Sequence, residues 1–232
     1  MIKNVYVGYD TREDIAYQVC EHAINSVSKN IHVHPLILND LKEKKLYWRD
    51  IDKLGSTEFT FSRFLVPVLM NYNGWALFCD SDILFVEDLD NLFALADDKY
   101  AVMCVQHDYT PQEGLKMDGQ AQTLYPRKNW SSLVLWNCSH PSNKKITTEL
   151  INDNETTGKY LHRFSWLKDE EIGSLPLQWN WLAGWYNESK DGKPKGIHYT
   201  EGGPWFKEYR NCQYHQEWKD TLNSMMEYNP EK

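Results

Sequence analysis

The sequence has no apolar run approaching the ~20 residues needed to cross a bilayer. Its longest, residues 64–70 and 75–79, have the length of core elements, so a membrane-spanning helix is excluded. It has no internal repeat and no Gly-, Pro- or Ser-rich linker, which excludes solenoids and strings of domains. Its five cysteines, Cys20, Cys79, Cys104, Cys138 and Cys212, are odd in number and contain no C-x-x-C pair. A disulfide scaffold is thereby excluded, and reduced thiols in a cytoplasm-like compartment are expected. Positive charge is also scarce, with 25 Lys+Arg against 33 Asp+Glu and a net charge of −8. Without a basic cluster the chain has no footprint for nucleic acid, and a negatively charged ligand has to be held by a metal or by backbone groups.

What is present reads as one ordinary globular chain. The 232 residues are 41% apolar and 25% charged. A domain of that length buries roughly 70% of the surface of its unfolded chain, so stability alone calls for no metal. The opening Met1-Ile2-Lys3-Asn4-Val5-Tyr6-Val7 runs into a strand pattern with no apolar signal core, so a cytoplasmic location is the expectation. The four N-x-S/T sequons, at Asn129, Asn137, Asn154 and Asn187, would matter only in a secreted chain. Aromatic residues reach 14%, with 10 Trp and 14 Tyr concentrated after residue 160. Such a surplus either packs a core or offers apolar faces with polar edges to sugars and bases.

Residues 4–8 read as a buried strand ending in Gly8-Tyr9-Asp10, and Ile15, Ala16, Val19, Cys20, Ala23, Ile24 and Val27 then recur at helical spacing. Strand, short loop and amphipathic helix open an α/β unit. Residues 31–38 form a second strand that Pro35 confines to an edge. A helix is expected over 60–72, a strand covered on both faces over 75–79, a short helix over 89–96 and buried strands over 101–105 and 133–136. Residues 142–152 read as a helix and 195–199 as a late strand. The polar, aperiodic segment 106–128 has the length of a lid. From Gln213 to Tyr228, Trp218, Leu222, Met225 and Met226 share one helical face that packs on the body, with peripheral membrane or partner contact as the alternative. Residues 1–206 make up the main domain, and 207–232 a helical tail on it.

The strongest constellation is Asp80-Ser81-Asp82, directly after the apolar run 75–79. Two carboxylates at the carboxyl edge of a sheet can share a hard divalent cation, whose other ligands would be the phosphate oxygens of a nucleotide. His198, at the end of a late strand and followed by Gly202 and Gly203, suits a third ligand beside a diphosphate. Trp179, Trp181 and Trp185 offer faces for an acceptor sugar, with polar edges from Gln178 and Asn180, although core packing would explain them equally well. His32-x-His34 has a metal-compatible spacing but no third ligand nearby in sequence.

Taken in order, G-Y-D, S-R-x-x-x-P (Ser62, Arg63, Pro67), D-x-D, L-P-x-x-W-N (Leu175, Pro176, Trp179, Asn180) and H-x-x-x-G-x-P-W resemble the family 8 type of GT-A glycosyltransferases, the glycogenin and lipopolysaccharide galactosyltransferase group. The resemblance runs from about residue 4 to residue 206. It implies a single α/β GT-A domain, Rossmann-like, with a mixed, mostly parallel central sheet flanked by helices. It also implies a retaining transferase that uses Mn2+ or Mg2+ and a nucleotide-sugar donor, UDP-linked by family habit, with a carbohydrate-containing acceptor. Carried over residue by residue, Asp80, Asp82 and His198 bind the metal. Gly8, Tyr9 and Asp10 hold the nucleobase, Arg63 and Ser81 contact the donor or brace the turn, and Gly202, Gly203 and Trp205 line the diphosphate. Gln178, Trp179, Asn180 and Trp181 face the acceptor, and Asp169 and Glu170 are the catalytic candidates.

Two positions depart from the pattern: Gly203 stands where the family has Lys, and Glu170 where Gln is common. A sugar nucleotidyltransferase is the rival enzyme, but it would need a glycine-rich basic loop after the first strand, and Gly8-Tyr9-Asp10-Thr11-Arg12 has one Gly and one Arg. A carbohydrate- or nucleotide-binding module without turnover is the rival outside enzymes.

Overall fold

A computed structural model describes residues 2–49, 56–108 and 127–227. Most of the segment expected to form a lid lies outside the described residues.

The central sheet has six strands: β1 (Lys3–Gly8), β2 (Ile31–Leu36), β3 (Trp75–Cys79), β5 (Val102–Cys104), β6 (Leu133–Asn137) and β7 (Ile172–Ser174). Their order is β2-β1-β3-β6-β5-β7, and β6 alone runs antiparallel to both its neighbours. The sheet is therefore mixed and mostly parallel. Pro35 lies in edge strand β2, where a residue with no N–H to donate is tolerated.

Both faces are covered, and the period-2 alternation of side chains divides the core between them. Tyr6, Ala76, Phe78, Val134 and Trp136 point into one apolar layer with Phe64, Leu65 and Trp166. Val5, Val7, Leu77, Leu133 and Leu135 point into the other, against Tyr17, Cys20 and Ile24 of helix α1 (Asp14–Val27). This two-sided burial explains why the inner strands read as unbroken apolar runs. All five cysteines are free thiols.

Of three further short strands, the sequence reading contains the late one over 195–199 but neither of the other two. β4 (Ile83–Phe85), β8 (Trp181–Leu182) and β9 (Gly196–His198) form a second sheet in the order β4-β9-β8. β4 starts one residue after Asp82, and its antiparallel register pairs Ile83 with His198. A hydrogen bond from Tyr199 N to Asp82 O, 3.0 Å, continues the pairing. Two turns more than a hundred residues apart in sequence are thus joined by backbone pairing.

The helix expected over 60–72 is instead a 3-10 turn, Ser62–Leu65, running into a short α-helix, Val66–Leu69, with Pro67 in its first turn. The one expected over 142–152 splits at Thr147, whose hydroxyl caps Leu150 N at 3.2 Å. At the C-terminus, helix His215–Glu227 packs on α1, burying Trp218 beside Val19 and Ala23. Among the described residues no helix is long and apolar enough to cross a membrane.

Candidate metal centre

The turn ahead of α1, residues 56–63, the Asp80–Asp82 turn after β3 and the residues after β9 enclose an open cleft lined by Glu13, Phe59, Arg63, Ser81, His198 and Trp205 among others. Asp80, Asp82 and His198 each present a ligand atom within 4.8 Å of the other two. Two carboxylate oxygens and one imidazole nitrogen at this spacing suit a hard or borderline divalent cation such as Mg2+ or Mn2+.

Each of the three is held from behind. Asp80 N donates to Ser132 O at 2.8 Å, and the Asp80 carboxylate pairs with Arg63 Nη1 at 2.8 Å. Arg63 is 6% exposed, lies over the rings of Phe59 (5.0 Å) and Phe78 (5.2 Å), and donates to Ser131 O at 3.1 Å. It braces the turn and keeps its charge on Asp80. His198 Nε2 lies 3.4 Å from Asp82 Oδ1, while its Nδ1 is 2.8 Å from Asn180 Oδ1. Asn180 Nδ2 donates to Ser132 Oγ at 2.9 Å and to Asn129 O at 3.3 Å, so the amide oxygen is the group left to face His198. Asn180 therefore fixes the proton on Nδ1 and leaves the Nε2 lone pair toward Asp82. Replacing it by Ala should weaken divalent-metal binding on the order of 10–100-fold, as loss of such a supporting partner does elsewhere, with calorimetric titration as the measurement.

The rear wall is Trp205. Its Nε1 donates to Glu13 Oε2 at 3.1 Å, and its ring sits 5.4 Å from that of Trp218. Gly203 is required there, because a Cβ would come within 1.8 Å of the Trp205 ring. Gly202 has φ +136, outside the ordinary range of residues with a side chain. The Gly203→Ala change should push the indole off Glu13 and weaken nucleotide binding about tenfold or more, roughly 1.4 kcal/mol, while the melting temperature moves little. At the other wall Gly8 lies under Phe59, whose ring a Cβ would meet at 2.4 Å.

Glu13 was not among the residues expected to form the site, because an acid in the first turn of a helix is commonplace. Its carboxyl is pushed up to about 7, first by burial and then by the charge of Asp82, against the opposing hydrogen bond from Trp205.

The remaining expected residues are placed as follows. Tyr9 donates its hydroxyl to Asp14 at 2.8 Å. Asp10 is 1% exposed and accepts from Arg12 N (3.0 Å), Nε (2.9 Å) and Nη2 (2.7 Å) and from Glu58 N (3.1 Å). Burial would raise its carboxyl, but the hydrogen bonds from Arg12 and Glu58 outweigh it and hold the group below the ordinary range. Asp169 and Glu170 lie on an exposed 3-10 turn before β7, Asp169 paired with Arg127 and Glu170 4.0 Å from Lys168, and neither lines the cleft. Gln178 donates to Asp191 O at 2.6 Å. The sugar-stacking faces expected of Trp179 and Trp181 are not presented: the rings are 1% and 0% exposed, packed as core. His34 stacks on Tyr6 and lies tilted at 50° to His32, with His34 Nε2 bonded to Asn4 Oδ1 at 2.8 Å, and neither histidine joins a metal-ligating group among the described residues.

Behind Arg63, His162 Nδ1 meets Ser131 Oγ at 2.6 Å. Burial, and then the Arg63 charge, lower His162 from 6.5 to about 3; burial, and then His198, do the same for His107. Between those two values the unfolded chain binds more protons than the folded one, so stability falls as pH drops below 6.5. Each group should contribute a slope of up to about 1.4 kcal/mol per pH unit. Melting curves from pH 7 to pH 4 should show the two histidine contributions, partly offset by Glu13, whose raised carboxyl acts with the opposite sign, and His162→Gln should remove one of the two.

No family model matches the chain. Among solved structures, 95% of it superposes on the bifunctional glycosyltransferase WbbM (TM-score 0.67, 15% identity), of which it spans 49%. It also superposes over 97% of its length on glycosyltransferase GlyE from Streptococcus pneumoniae TIGR4 (TM-score 0.65, 15% identity, 62% of that chain). The galactosyltransferase LgtC, solved with donor and acceptor sugar analogues, matches over 98% of both chains (TM-score 0.56, 9% identity). These likenesses show that the architecture is the GT-A glycosyltransferase fold. Protein CDI of Arabidopsis thaliana is 55% identical over 98% of this chain and 87% of its own length. With its metal-ligand cluster at the carboxyl end of a GT-A sheet and that degree of identity, the chain belongs to the family of Protein CDI.

Proposed function

We propose that the chain is a divalent-metal-dependent glycosyltransferase that moves a sugar from a nucleoside diphosphate donor, UDP-linked, to a carbohydrate-containing acceptor with retention at the transferred carbon. The observation that carries this reading is the convergence of Asp80, Asp82 and His198 on one cleft whose rear wall is Gly202–Trp205. Those three residues would hold Mn2+ or Mg2+, which when bound acts as a Lewis acid on the leaving diphosphate.

The chain's own residues supply the rest. Arg63 pairs with Asp80 and holds it in orientation, and Asn180 keeps the His198 lone pair directed at the centre. Backbone at Gly202 and Gly203 allows close approach of the diphosphate, and Trp205 sets the depth of the pocket. Gly8, Tyr9 and Asp10 bound the nucleobase end, where the Asp10–Arg12 clamp fixes the loop. Asp169 and Glu170 are proposed to stabilise the cationic sugar, and the cytoplasm is the proposed location.

A second reading, donor binding without turnover, is favoured by one observation: Asp169 is paired with Arg127 on an exposed turn rather than placed in the cleft. Incubating the chain and Mn2+ with a panel of UDP- and GDP-sugars separates the two readings. Transfer, or slow release of free sugar that Asp169→Asn or Glu170→Gln reduces, supports the enzyme. Binding with no release over days supports the module.

A further inference from the structure

We propose that Glu13 is a further residue of the donor site, whose carboxylate makes binding of a nucleoside diphosphate conditional on a divalent cation bound first. The proposal rests on the nucleotide-sugar reading of the cleft and goes beyond it in assigning the order of binding to a named side chain.

Glu13 occupies the N-cap position of α1, yet its side chain makes no capping hydrogen bond. Glu is not among the residues that favour this position, and its carboxylate has no capping role here. It is turned into the cleft instead, where Trp205 Nε1 holds one of its oxygens at 3.1 Å. The indole donor is neutral, so it orients the carboxylate without cancelling its charge.

Among the described residues the cleft is short of positive charge. Its walls carry the carboxylates of Glu13, Asp80, Asp82 and Glu201 against one guanidinium, that of Arg63, which is committed to Asp80. At position 203 the Trp205 ring occupies the space of any side chain. A lysine cannot enter there while the indole stays on Glu13. A diphosphate entering alone would therefore bring its negative charge to a wall already in excess of the same sign. Its repulsion is strong in a partly desolvated site. A divalent cation meets the opposite field, drawn by four carboxylates rather than the three that would remain without Glu13. The upward push that Asp82's charge exerts on the Glu13 carboxyl has the sign expected when these groups share a field without a cation.

The test is calorimetric titration at pH 8 of the wild-type chain and Glu13→Gln with Mn2+ alone, UDP alone, and UDP with saturating Mn2+. Glutamine keeps an oxygen that accepts from Trp205, so charge is removed while the wall is retained, and a thermal melt checks the fold. Wild type should bind Mn2+ alone and UDP only with Mn2+. In Glu13→Gln the affinity for Mn2+ alone should fall about tenfold, and UDP alone should gain measurable affinity, the two signatures of one removed negative charge. If wild type binds UDP with Mn2+ and Glu13→Gln lacks either change, the inference is overturned and the donor-site reading stands. Wild type that binds no UDP under any condition overturns both.

Discussion

Replacing Asp82 by Ala should abolish manganese-dependent nucleotide binding while leaving the chain folded. Asp82 is followed at once by β4, and its backbone carbonyl accepts from Tyr199 N, so the main chain of the turn is held by pairing that the side chain does not supply. The carboxylate itself faces His198 Nε2 across 3.4 Å and contributes one of three ligand atoms. Removing a supporting partner of a metal ligand already costs on the order of 10–100-fold in affinity, and removing the ligand itself should cost at least the upper figure. Titration with Mn2+ and UDP should show no heat above dilution, with a melting temperature close to that of wild type. Retained affinity would mean that the nucleotide is held elsewhere.

Arg63→Met should be the most destabilising single change in the cleft. The guanidinium is buried, pairs with Asp80 and lies over two aromatic rings. Methionine fills much of its volume but leaves the Asp80 carboxylate, whose side chain is only 16% exposed, without its cation. Breaking one partner of a buried pair costs roughly 3–5 kcal/mol, which for a chain of this size lowers the melting temperature by about 10 °C or more. Arg63→Lys should recover part of the stability, because it restores charge but not the second hydrogen bond, to Ser131 O. A melt within 2 °C of wild type would contradict the bracing role.

How far the sequence carries this account depends on the scale at which each feature is encoded. β3 and the turn after it were legible because five apolar residues stop abruptly at two acids, a local signal. α1 was legible from its 3.6-residue period, and Pro35 marked an edge strand. Of the second sheet only β9 was legible, as the late strand over 195–199; β4 and β8 are strands of three and two residues that carry no period, and the register of Ile83 on His198 is a tertiary fact. His198 stood out by its place at the end of a late strand before two glycines and by the company of Asp80 and Asp82, whereas its partner Asn180 read as an acceptor contact. Aromatic content misled for Trp179 and Trp181: a surplus of indoles is used largely inside, as in the parallel stacking of Trp136 on Trp166 at 6.1 Å. Glu13 was hidden by its ordinariness, because only the fold shows an N-cap carboxylate turned away from its own helix.

These observations make the three-residue centre the point on which the functional reading turns, and diffraction can locate it without any assay of activity. Crystals grown with Mn2+ and UDP should be measured at the manganese absorption edge. The account predicts one strong anomalous peak bounded by Asp80, Asp82 and His198 Nε2, with the diphosphate beside it against Gly202–Trp205. A peak elsewhere, or nucleotide density with no peak at these three residues, would contradict it.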